Sequence, residues 1–227
     1  MNFKRIRLFI LAAAIVGLVA AGGVSAYFTD ADTAVNTFTV GKISLDLQEP
    51  GWNPAEAENL TPGKEITKDP QIKNDGDNPA FIFAEIAVPY QNLVTVNADG
   101  SKNAAKEIEL FSYKLNDGWT ELGTGKRNQT DKMITHLYVY GNSNKCKELA
   151  VGDTTPPVFG SVTFANVIED QGLEGQIQSI TVNAYGIQTT DIDGGKTAPE
   201  AVWSILSMQS PSLQVEADED EVTDIKN

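Results

Sequence analysis

Short apolar runs of period two, cut at close intervals by glycine, proline, asparagine or aspartate, dominate this chain from residue 38 onward and leave room for little except strands. In residues 38–47, Ile43, Leu45 and Leu47 fall on one face and Lys42, Ser44 and Asp46 on the other. Pro50, Gly51, Pro54, Pro62 and Gly63 then break the chain into a loop, and residues 71–73 make a short strand that stops at the turn formers of 74–79. Residues 80–88 read as a central strand, with Phe81, Phe83 and Glu85 on one face and Ile82, Ala84 and Ile86 on the other; Pro89 is expected to end it, because proline cannot donate to a ladder. Residues 93–96 make a strand, and residues 101–109 a short helix with Ser101 as N-cap. Residues 111–115 and 119–122 flank Asn116-Asp117-Gly118 and read as a hairpin. Residues 133–140, 159–167 and 177–188 complete the strands. Residues 197–206 form the second helix, with Pro199 near its first turn, where the fixed φ of proline suits. Many short strands, frequent turns and little helix predict an all-β fold, an antiparallel jelly-roll-like β-sandwich with one or two short helices.

The first 26 residues read differently. Lys4, Arg5 and Arg7 precede an uncharged apolar run over residues 8–21, shorter than the roughly 18–20 residues of a membrane-spanning helix. Val24 and Ala26 are small residues at the −3 and −1 positions of a cut before Tyr27. The expected organisation is a signal peptide over 1–26 with cleavage between Ala26 and Tyr27, one domain over 27–213, and an acidic, disordered tail over 214–227. The protein is therefore expected outside the cell, with a membrane as partner only through the uncleaved signal peptide. The whole chain carries a formal charge of −14, and the excised segment removes only basic residues, so the mature surface repels nucleic-acid phosphates. Cys146 is the sole cysteine, which rules out an intrachain disulfide; a half-buried small hydrophobe is expected, with pairing of an exposed thiol between molecules as the alternative.

Ala26-Tyr27-Phe28-Thr29-Asp30 and residues 36–47 (NTFTVGKISLDL) resemble the mature start of the TasA/camelysin family, secreted bacterial proteins processed by the SipW type of signal peptidase. The similarity continues through Thr61-Pro62-Gly63 and residues 74–82. Residues 149–159 resemble a loop in which proline and glycine precede an acidic residue, with Val151 here in place of the proline. Residues 180–188 and the helix after them are similar to the closing strand and helix of the clostridial biofilm matrix subset called BsaA. The resemblance implies a jelly-roll subunit of an extracellular biofilm matrix fibre, a homopolymer built by donor-strand exchange, with signal peptidase as a partner during export. The residues themselves offer a physical reason for such assembly. Cleavage frees residues 27–40, a proline-free segment of β-branched and aromatic residues that can complete an open sheet edge. Tyr27, Phe28, Phe38 and Val40 are the candidate assembly residues, Phe28 and Phe38 being apolar groups an acceptor groove would take. Pairing of this strand within its own subunit is the competing reading.

Catalysis is not expected. A His-Glu-x-x-His zinc site needs two histidines one helical turn apart, and His136 is the only histidine, in a strand-like run where a satisfied sheet residue is the ordinary outcome. No Gly-x-Ser-x-Gly elbow surrounds any serine. Calcium is the remaining cofactor candidate: Asp75 and Asp77, and Asp191 and Asp193, place carboxylates at turns, although turn chemistry alone accounts for such clusters. Trp52, Trp119 and Trp203 read as core rather than sugar platforms. The alternative to a fibre subunit is a non-polymerising secreted or surface-bound module that binds carbohydrate or protein.

Overall fold

A computed structural model describes residues 42–190 and 192–209. Thirteen strands and one α-helix follow in order: β1 (Leu45–Gln48), β2 (Glu65–Thr67), β3 (Gln71–Asn74), β4 (Ala80–Leu93), β5 (Lys106–Glu109), β6 (Phe111–Leu115), β7 (Trp119–Glu121), β8 (Lys126–Asn128), β9 (Met133–Asn142), β10 (Lys145–Cys146), β11 (Glu148–Leu149), β12 (Phe159–Phe164), β13 (Thr181–Gln188) and α1 (Pro199–Gln209). Every pairing between these strands is antiparallel, in curled sheets, so the fold is all-β and of the sandwich, jelly-roll-like kind.

The central strand β4 has β9 along one side and β13 along the other, with β7 and β8 added beyond β9. The facing layer holds β2–β12–β6 and the pair β1–β3. Backbone bonds Thr155 N–H to Ile72 O (2.9 Å) and Val158 N–H to Pro70 O (2.7 Å) carry β3 alongside the segment that becomes β12. The alternation of β4 decides what each of its faces meets. Ala80, Ile82, Ala84, Ile86 and Val88 point into the main core with Ile66, Ile72, Phe111, Phe159 and Val162 of the facing layer. Phe81 and Phe83 point outward, where Val139, Ile187 and the helix residues Val202 and Leu206 cover them. Burying such side chains stabilises by about 1.5–3 kcal/mol each, which is why the long apolar run of β4 sits at the centre.

Three expectations are corrected. Pro89 does not end β4. It pairs with Met133 where the other neighbour changes from β13, which reaches Ala87, to β5, which starts at Tyr90. The absent N–H therefore falls at a hand-over between partners. The expected helix over 101–109 is instead an extended segment whose residues 106–109 pair with the end of β4, which supplies ladder bonds that a short isolated helix lacks. The two arms around Asp117-Gly118 form no hairpin: β6 joins β12 and β7 joins β9. The turn is a corner between layers, wrapped on residues 156–158. Asn116 N–H donates to Val158 O (2.9 Å), the Asn116 amide to Pro157 O (3.0 Å) and the Trp119 indole to Pro156 O (2.9 Å).

Candidate assembly edge

β13 is the longest edge strand of the described residues. All eight of its residues pair with β4 from Thr181↔Ala87 to Gln188↔Ala80, and no strand among the described residues pairs with its other side. It contains no charged residue, whereas the other edge strands do: Asp46 in β1, Glu65 in β2, Lys114 in β6, and Lys126 and Arg127 in β8. Edges without such guards are templates for an added strand. Beside it stands β1 of the facing layer. A Cβ at Gly186 would lie 3.0 Å from Leu45 Cδ1, so the missing side chain lets β1 close over β13. Ile43, Leu45, Ile180, Val182 and Ala184 are only partly buried against the main core. A cleft of about 470 Å³ continues this seam, lined by Ile43, Gly186, Ile187, Ile205 and Leu206.

The candidate residues from the sequence fall as follows. Ala26, Tyr27, Phe28, Phe38, Val40 and Asp191 lie outside the described residues. Asp75 pairs with Lys73 at 2.6 Å, Asp77 accepts the Lys42 N–H at 3.0 Å, and Asp193 forms an ion pair with Lys196, so each of these carboxylates already has a protein partner. Asn74, fully buried, organises the 74–78 turn by donating to Asn78 O and Leu149 O and accepting from Gly76 N–H. Cys146 is buried, and burial pushes its thiol up to about 12. Trp119 is buried in the main core, and Trp203 tilts against Phe83 with centroids 5.2 Å apart.

A polar cluster was not anticipated. His136 on β9 places Nε2 2.9 Å from Glu109 Oε1 of β5 and Nδ1 2.7 Å from Glu121 Oε1 of β7. The Glu109 hydrogen bond, with Glu121 adding to it and burial opposing it, raises the imidazole to about 9, so both ring N–H groups donate at neutral pH. Beside it the Tyr138 and Tyr113 hydroxyls meet at 2.7 Å and burial holds both phenols above their usual range. The partners of His136 lie 27 and 15 residues away, one in the segment expected to be helical and the other in the expected hairpin, so no local pattern pointed to them.

A family model described as camelysin metallo-endopeptidase matches residues 2–111. This chain is similar to the camelysin family. The major biofilm matrix component of Bacillus subtilis (strain 168) is a relative, 26% identical over 199 residues, which is 87% of this chain and 67% of that protein. No solved structure matches. The endopeptidase description invites a test of the donor set of this camelysin-like chain. A zinc site wants several donors converging on one point, and the two carboxylates at His136 sit at opposite ring nitrogens. Cys146 belongs to the other core cluster, beneath α1. No group of three His, Cys, Asp or Glu side chains among the described residues could hold a metal ion. These residues do not fit a zinc peptidase centre.

Proposed function

We propose that this chain is a secreted, non-enzymatic structural subunit of an extracellular biofilm matrix, and that it builds fibres by donating the mature N-terminal strand, residues 27–40, to a neighbouring copy after signal peptidase cuts between Ala26 and Tyr27. The observation that carries this reading is the similarity to a biofilm matrix component over most of the chain. Two features support it. The segment that cleavage would free is proline-free and rich in β-branched and aromatic residues, and it leads directly into β1. Among the described residues there is also an edge strand with no partner on its outer side, beside a half-covered apolar seam. Ladder bonds from an added strand supply affinity, and alternate side chains entering the seam supply register.

Size-exclusion chromatography with negative-stain microscopy tests the proposal, on protein beginning at Tyr27 beside protein beginning at Gly41, with circular dichroism as the check on folding. Filaments from the first and folded monomers from the second are expected. Folded monomers from both would remove the fibre reading and favour a non-polymerising binding module.

A further inference from the structure

We infer that the acceptor is the outer edge of β13, and that its occupant is the eight-residue stretch 33–40 of a second copy of this chain. The inference rests on the reading that the N-terminal segment is donated; it adds where that segment goes. Three observations converge on β13. Among the described residues it is the edge strand without a guarding charge, in a chain of formal charge −14. Its inner side is held by β4 along its whole length, so it is a rigid template. It borders the seam where Ile43, Leu45, Ile180, Val182 and Ala184 are incompletely covered.

The sequence of the occupant matches that edge. Residues 33–40 (TAVNTFTV) are uncharged, and Asp30 and Asp32 precede them. The uncharged run continues through Gly41 and stops at Lys42, nine residues in all, which is enough to cover the eight of β13, about 26 Å of extended chain. Alternation divides the stretch into Ala34, Asn36, Phe38 and Val40 on one face and Thr33, Val35, Thr37 and Thr39 on the other. The first set carries the large apolar groups and suits the seam. The second is threonine-rich and suits solvent. A strand shifted by one residue would send Phe38 outward, so the register is chemically marked. The charged edges of β1, β6 and β8 lack this match.

The test uses the mature chain beginning at Tyr27 throughout. An edge variant carries Thr181→Lys and Asn183→Lys, both exposed positions of β13. A donor variant carries Phe38→Glu, and a control carries Ser112→Lys on the exposed side of β6. The expected result is loss of filaments in the edge and donor variants, with the control polymerising as the parent does. Mixing the edge and donor variants should give a discrete heterodimer by light scattering, because the first still has a sound strand and the second a sound edge. Circular dichroism and thermal melts of the edge variant check that it is folded. Filaments from the edge variant but none from the donor variant would place the acceptor elsewhere and leave strand donation standing. Filaments from the donor variant would overturn donation and acceptor together. Two silent variants that form no dimer on mixing would overturn the assignment to β13.

Discussion

His136 is the residue whose charge state the fold most visibly determines. Protonated, it satisfies carboxylates from two strands, β5 and β7, that pair with different neighbours, β4 and β9. Because its folded value, about 9, lies above the ordinary 6.5, the imidazolium contributes stability that is fully present below pH 6.5 and is lost as the pH rises through 9. His136→Gln removes the charge and leaves Glu109 and Glu121 without a cation. The expected cost near neutrality is about 1–3 kcal/mol, or roughly 2–10 °C in Tm for a domain of this size. Thermal melts of both proteins between pH 6 and pH 10 should show the gap closing as the wild type loses its proton. A gap that stays constant through that window would mean that the cluster acts through packing alone. Gly125 belongs to the same arrangement: a Cβ there would stand 2.7 Å from His136 Cε1, so only glycine leaves the ring in place.

At the scale of elements, the turn at 74–79 shows how a loop determines where a strand lies. Asp75 and Asp77 N–H donate to Ser44 and Lys42 carbonyls at 2.9 Å, which fastens the approach to β1. A Cβ on Gly76 would fall 2.6 Å from Lys42 O and 3.0 Å from Ser44 N, both backbone atoms that cannot turn aside. Gly76→Ala is therefore expected to displace β1, cost about 1–3 kcal/mol, and raise amide exchange across residues 42–48. Gly160→Ala, where the added carbon meets nothing within 4 Å, is the control and should melt like the wild type. Equal melts for the two variants would show that the turn does not hold β1. Much of this architecture was legible in advance, since alternation assigned the two faces of β4 correctly and the proline start of α1 was visible. The partners of strands were not legible. Asp-Gly between two alternating runs signals a reversal, but whether the arms pair depends on residues 156–158, some 40 positions away, which hold the corner through Asn116 and Trp119. The same limit hid the edge: the lack of charge in residues 181–188 is plain, but its exposure on one side follows only from register.

For the whole molecule, the balance of long-range and short-range forces decides how copies meet. The full chain carries a formal charge of −14 and would lose only basic residues on cleavage, so mature neighbours repel, while the proposed contact between residues 33–40 and β13 contains no charge at all. Salt should then act on the repulsion and not on the contact. Raising ionic strength from about 0.01 M to about 0.15 M shortens the screening length from roughly 30 Å to roughly 8 Å, well under the width of a domain. Filament growth from mature protein, followed by light scattering and negative stain, is therefore expected to accelerate over that range. Filaments already formed should persist on transfer to about 0.5 M salt, because ladder bonds and apolar burial are little screened. If growth slowed with salt, or if formed filaments dissolved in it, opposite charges would have to meet across the subunit contact, which an uncharged strand on an uncharged edge cannot provide.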